Sequence, residues 1–356
     1  MARETADRRD PEAVLAYPPV PPDATLPYGE LPDQIVDFFT PRGGEGPAPL
    51  VVLFHGGAWR APYDRQHISP LAAHLAAHGF AVASVEYRRG PAPEQHGGGR
   101  RAAPATGAAV GGGAPVVADA PGVTVDHPAG RWPETLDDVA LAVDRIPAMV
   151  AELAAAAPGV RGASPYAYGE AAGSEVRTDS PHGGASAEAR PGLHRWGSVD
   201  TGRLVLSGHS AGGHLALWAA ARHRQPSGSR WHWAARPPVS GVVALAPIAD
   251  FATSRELDVC SDAVVQLLGG PAGYASRRAY ADPVALLPTG IPTTIVHGAV
   301  DDVVPPQVAR AFATEAERAG ERVRLVLLDG AGHFPLIDPY CPEAGVVIGE
   351  LRRLTG

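Results

Sequence analysis

Short, wholly apolar runs alternate with longer amphipathic stretches over most of the chain. Leu50–Phe54 (LVVLF) is a continuous apolar run that stops at His55-Gly56-Gly57. A run of that length without polar alternation predicts a strand buried on both faces of a parallel sheet. Ile68–His78 (ISPLAAHLAAH) has helical composition and meets Gly79, a natural C-terminal cap. Phe80–Glu86 predicts the next strand. Pro133–Leu153 predicts a helix: Pro133 suits a first turn, and Leu136, Val139, Ala140 and Val143 share one face. A strand at Leu204–Ser207, a helix at Gly213–Arg222 and strands at Val239–Ala246 and Thr293–Val296 follow. A helix within Val304–Ala319, a strand at Val323–Leu328 and a closing helix at Gly345–Leu354 complete the pattern. The alternation predicts one α/β domain over 1–356, a mostly parallel central sheet with helices on both faces. No internal repeat is visible.

Two stretches break the pattern. Gly (42) and Pro (37) concentrate in Gly90–Gly130 and in Pro158–Gly197, where neither helix nor strand periodicity survives. Gly, Ala, Pro, Ser and charged residues there bury too little apolar area to offset the entropy of ordering. Both read as poorly ordered surface insertions, with a substrate lid as the functional alternative. Residues 1–25 read as a disordered leading segment.

Composition narrows the function classes. Hydrophobic residues make 45% and charged residues 19%, with a formal net charge of −8, so the chain lacks the basic footprint of a nucleic-acid binder. Lysine is absent and every basic side chain except histidine is Arg, which reads as genomic base composition. The start, MARETADRRDPEAV, is charged and has no apolar run behind it, and no later run is long enough to span a bilayer. The expectation is a cytoplasmic protein without a membrane partner. Cys260 and Cys341 stand far apart, outside any metal or redox spacing, and read as ordinary thiols. His67, His74, His78, His194, His214 and His232 show no ligand spacing and are assigned to helix faces and surface loops. No metal or cofactor is expected. The Trp231-His232-Trp233 cluster is read as a loop packed on the domain rather than a stacking platform for substrate.

The chemistry sits where predicted strands end. Gly208-His209-Ser210-Ala211-Gly212 is a G-x-S-x-G pentapeptide between a strand and an Ala/Leu-rich helix. So sharp a turn holds its middle residue in a strained conformation, lifts the Ser210 hydroxyl off the sheet and aims the Ala211 N–H at a reacting oxygen. His55-Gly56-Gly57-Ala58-Trp59 follows the Leu50–Phe54 strand. Its small residues let backbone donors approach a developing oxyanion, which assigns Gly57, Ala58 and Ala211 as donors and His55, Gly56 and Trp59 as loop support. Two places for Trp59 stay open: beneath the loop, or at the mouth of the site against a planar leaving group. His297-Gly-Ala-Val-Asp301-Asp302-Val-Val-Pro305 and Gly330-Ala-Gly-His333-Phe334 each end a predicted strand, where catalytic groups collect in an open parallel sheet. His333 is the candidate base and Asp301 the candidate acid, ahead of Asp302. Asp250 reads as a turn or helix cap.

These motifs resemble the α/β-hydrolase superfamily, and HGGAW with GHSAGGHLAL is similar to its esterase and kynurenine-formamidase-like branch. YGELPDQIVDFFTP (28–41), VEYRR (85–89) and WPETLDDVALAVDRI (132–146) are similar to that branch too. Ala58 replaces the third glycine of the hormone-sensitive-lipase pattern. The resemblance implies a serine hydrolase that takes a small carboxylic ester or aryl formamide through an acyl-enzyme. A peptidase related to the prolyl oligopeptidases ranks lower, since the chain has no room for a separate propeller. A non-catalytic binding module on the same scaffold is the reading from another class. Oligomeric state is not legible.

Overall fold

The computed structural model describes residues 13–43, 46–90, 129–156 and 193–356. Eight strands form one sheet: β1 (Ala24–Pro27), β2 (Ile35–Phe39), β3 (Ala48–Phe54), β4 (Ala81–Val85), β5 (Val199–His209), β6 (Gly241–Leu245), β7 (Thr293–Gly298) and β8 (Val323–Leu328). Their order across the sheet is β1-β2-β4-β3-β5-β6-β7-β8. Only β2 runs against the others, pairing antiparallel with both β1 and β4. Among the described residues the α-helices are α1 (Ser69–Ala77), α2 (Glu134–Ala155), α3 (Ala211–Ala220), α4 (Phe251–Glu256), α5 (Ala263–Leu267), α6 (Pro271–Ala281), α7 (Pro306–Arg318) and α8 (Pro342–Thr355).

The apolar run that marks β3 is buried on both sides because the sheet divides two cores. Leu50, Val52 and Phe54 point into a cluster with residues of α2, α3 and α7. Val51 and Leu53, one residue out of phase, point into a second cluster with residues of α1 and α8. The period of two along a strand sends alternate side chains to opposite faces, so a strand covered on both must be apolar throughout.

Several expectations need correction. Residues 13–25 do not belong to a disordered leader: Ala13–Ala16 is a 3-10 helix with Val14 buried in the second core. The Tyr17 hydroxyl then bonds Asp338, and the Val20 N–H bonds Ser69 Oγ, so this segment straps the outer face. The second insertion ends earlier than Gly197. Leu193–Ser198 is a 3-10 helix whose Trp196 is buried edge-on against Phe38, ring centroids 5.4 Å apart. Residues 91–128 and 157–192, the bulk of both insertions, lie outside the described residues. Strands β1 and β2 and helices α4–α6 carried no recognised signal. Strand β5 starts five residues before Leu204, because VDTGR is polar and pairs only with the first residues of β3 before a register shift at Pro49/Leu50.

The excursion between β6 and β7 holds α4–α6 and is pinned to α3 and the turn after it by side-chain donors. His214 Nε2 bonds the Ala281 carbonyl at 2.9 Å, while Trp218 Nε1 and Gln225 Nε2 both bond the Tyr280 carbonyl. Asp250 caps α4, accepting from the N–H groups of Ala252 and Thr253. Trp231 packs between Trp132 and Trp218, and Arg222 lies over the Trp233 ring, so the WHW loop is part of the packing. Among the described residues no helix is long and apolar enough to cross a membrane.

Candidate active site

Three strand ends, of β3, β5 and β7, and the loop after β8 converge on Ser210. The turn at Ser210 is tight enough to exclude side chains on both sides. A Cβ at Gly208 would lie 2.3 Å from the Gly212 carbonyl oxygen, and one at Gly212 would lie 2.2 Å from that of Phe54. With both positions bare, β5 passes into α3 at a single residue, and Ser210 takes φ 56°, ψ −119°. A non-glycine residue held there is strained, and strain of this kind persists only where the surroundings over-determine it. Here the Ser210 N–H bonds the Leu245 carbonyl at 2.8 Å, and its own carbonyl accepts from His214 and Ile248.

The loop after β3 abuts this turn. A Cβ at Gly56 would stand 3.1 Å from the His209 carbonyl oxygen and 3.3 Å from Ser210 Cβ, so any larger residue there would press on the Ser210 turn. Gly57, Ala58 and Trp59 all have positive φ (99°, 50° and 55°), a left-handed conformation that is uncommon for the two residues other than glycine. No described residue accepts from the N–H of Gly57, Ala58 or Ala211.

A buried network holds that loop from behind. The ring nitrogens of His55 face the Gly56 carbonyl at 2.8 Å and Glu86 Oε1 at 3.0 Å. Its ring stacks on Tyr87 with centroids 4.2 Å apart, and the Tyr87 hydroxyl donates to the His55 carbonyl. Glu86 also accepts from Arg89 Nη1 at 2.6 Å and from the Arg65 N–H at 3.1 Å. Burial pushes the Glu86 carboxyl up, but His55, Arg89 and Arg65 outweigh it and bring it down to about 2. Nearby, Arg88 forks onto the buried carboxylate of Asp138 on α2 at 2.7 Å on each prong. That contact ties the 85–89 segment to the 132–146 segment.

Trp59 lies beneath the loop and not at its mouth. It is fully buried, edge-on to His214 and Phe251, and its carbonyl accepts from both Gly90 and Gly130. The two ends of the first insertion therefore meet at one backbone oxygen.

His333 and Asp301 are brought together. His333 Nδ1 lies 2.7 Å from Asp301 Oδ2, and both residues are buried. Asp301 Oδ1 accepts from the N–H groups of Val303 and Val304, and His297 Nε2 lies 3.3 Å from Oδ2. Burial pushes the Asp301 carboxyl up, yet His333 and His297 hold it well below the usual carboxylate range. Asp302 is exposed and makes no such contact. Gly298 allows the approach: a Cβ there would lie 2.3 Å from the carbonyls of Ala331 and Gly332, which cross the end of β7. Ser210 Oγ makes no hydrogen bond to His333 here, and such contacts commonly tighten only with substrate bound.

Two histidines at this site carried no assigned role in the sequence reading. His297, four residues before Asp301, steadies the carboxylate. His209, the x of G-x-S-x-G, bonds the His333 carbonyl from Nε2 at 3.1 Å. A histidine at each of those spacings was the available signal.

A sheet of this order, with the strained Ser210 turn between its central strand and the next helix, is the α/β-hydrolase fold. A family model described as BD-FAE matches residues 36–95 and 197–315, half of the chain, and the chain belongs to that family of α/β-hydrolase-type esterases. Solved structures agree on the fold. A truncated carbohydrate esterase from gut microbiota superposes with a TM-score of 0.61 at 15% identity, over 95% of this chain and 99% of that one. Esterase B from Lactobacillus Rhamnosis (HN001) gives 0.59 at 16%, over 97% and 89%. Thermogutta terrifontis esterase 2, phosphoramylated by tabun, gives 0.55 at 18%, over 95% of each. Among curated proteins none matches the chain.

Proposed function

We propose that this chain is a serine esterase in which Ser210 attacks the carbonyl carbon of a small carboxylic ester. In this reading His333 takes the Ser210 proton and delivers it to the leaving alcohol, and water then releases the acid by the same steps reversed in role. Asp301 orients the His333 ring and stabilises its charged form, and the N–H groups of Gly57, Ala58 and Ala211 receive the oxyanion. The observation that carries the reading is the 2.7 Å Asp301–His333 contact beside a serine held at φ 56°. Ser210, His333 and Ala58 are each at most 4% exposed, which favours a small acyl group. An aryl formamide is the second substrate class, supported by the HGGAW and GHSAGG motifs alone.

The test is covalent labelling followed by a substrate panel. A fluorophosphonate probe should label the wild-type protein at Ser210 and leave Ser210→Ala unlabelled; an unlabelled, folded wild-type protein refutes the proposal. Among p-nitrophenyl esters, short acyl chains should be turned over best, with N-formylkynurenine and an acetylated sugar run alongside. The sugar is included because one structural neighbour is described as a carbohydrate esterase. Preference for chains of about eight carbons or more, where burial of about 0.8 kcal/mol per methylene dominates, would overturn the small-substrate assignment.

A further inference from the structure

His209 touches all three parts of the proposed machinery. It directly precedes Ser210 in the strained turn. Its ring lies 4.4 Å from that of His333, centroid to centroid, and its Nε2 bonds the His333 carbonyl at 3.1 Å. On the opposite edge, a Cβ at Gly56 would stand 3.1 Å from His209 Nδ1, so the ring also abuts the oxyanion loop. The ring is buried, and no other described side chain bonds the His333 main chain. From these contacts we infer that His209 is a positioning residue: it sets the distance between Ser210, the His333 loop and the oxyanion loop by tying the His333 carbonyl to the nucleophile turn.

The chemistry of the contact favours one tautomer. A carbonyl can only accept, so Nε2 carries the proton and donates. Burial and the neighbouring His333 hold the His209 ring well below the usual histidine range, so it remains neutral with a single N–H to place. The loop that bears His333 has few other ties at that point: Ala331 bonds Leu328 and Val300 behind it, and Ile337 bonds Phe334 ahead of it. Without the His209 donor the His333 carbonyl is a buried acceptor with no partner, and the loop is free to shift to find one. A displacement of the base by a fraction of the reacting distance slows proton transfer without altering how substrate is held.

The inference rests on the serine-hydrolase reading, and the experiment separates the two. His209→Gln and His209→Asn are compared with wild type, because a glutamine amide nitrogen falls near the position of histidine Nε2 and an asparagine nitrogen near that of Nδ1. Each variant is checked for its melting temperature, its kcat and KM on a short p-nitrophenyl ester, and its labelling rate with a fluorophosphonate. His209→Asn should lose kcat by about a hundredfold, the scale of a misplaced catalytic group, with KM nearly unchanged and labelling slowed in parallel. His209→Gln should recover most of kcat. Asn turning over like wild type, Gln as slow as Asn, or a loss confined to KM would each overturn the inference. If wild type itself takes no label, the functional reading fails, and the failure is visible before any variant is made.

Discussion

Replacing Glu86 by Gln tests whether the charge behind the loop after β3 supports the fold as strongly as its surroundings imply. Every contact of both carboxylate oxygens comes from a donor. Oε1 takes His55 Nε2, the Tyr87 N–H and Arg89 Nη1, and Oε2 takes the Arg65 N–H with Arg65 Nη1 at 3.6 Å. A glutamine keeps one acceptor and turns an NH2 group towards donors, whichever way it flips. The Glu86 carboxyl, brought from 4.5 to about 2, contributes about 3 kcal/mol to stability at neutral pH. Breaking a buried pair by removing one partner costs a comparable 3–5 kcal/mol (about that order), since Arg65 and Arg89 lose their counter-charge. The folded carboxyl lies below its unfolded value, so this stability is complete above 4.5 and drains as pH falls towards 2. Denaturant melts of wild type and Glu86→Gln at steps from neutral pH to acid should therefore show a gap of about 3 kcal/mol that narrows below pH 4.5. A gap that stays constant with pH, or one under about 0.5 kcal/mol at neutral pH, the range of an ordinary surface substitution, would refute the reasoning.

Other substitutions address the site itself. Ser210→Ala and His333→Ala should each lower turnover by several orders of magnitude, and the double variant should be little worse, because the residues act as a unit; a tenth or more of wild-type activity, roughly, in either one removes that residue from the mechanism. Asp301→Asn should slow turnover far more than Asp302→Asn, since only Asp301 meets the imidazole; equal losses in steady-state assays would contradict that. Gly212→Ala should abolish soluble, folded protein or activity, because its Cβ would meet the Phe54 and His55 carbonyls at 2.2 and 2.4 Å; a normal melting curve with normal kcat would be the contrary result. Trp59→Leu should lower melting temperature and cut kcat/KM on aryl and alkyl esters alike, since the indole is buried; a selective loss on aryl esters would restore a substrate contact.

What the chain order alone determined was local and short-range. The turn at Ser210 is legible because the glycines that permit it stand two residues either side, between an apolar run and a helix, and steric exclusion there needs no distant partner. The buried strand β3 and helix α2 are legible for the same reason: periodicity reports which faces a single element must cover. Asp301 ahead of Asp302 followed from loop spacing, but the exposure of one and burial of the other comes from the fold, where the His333 loop crosses β7 at Gly298.

Tertiary structure decided what depends on distant parts of the chain meeting. Strands β1 and β2 and helices α4 and α5 are short, and the longer α6 is held by donors on α3 to its last turn, so packing between segments and not a period along the chain orders them. Residues 13–25 are ordered because Tyr17 and Val20 find Asp338 and Ser69, far along the chain. Trp59 went beneath the loop rather than to its mouth because His214 on α3 and Phe251 on α4 present their rings to it there. His209 reaches a carbonyl 124 residues away, and Glu86 reaches a histidine 31 residues before it. Such contacts are set by the order of strands in the sheet, a property of how segments pair and not of any one segment, and hydrophobic pattern along the chain carries no record of it.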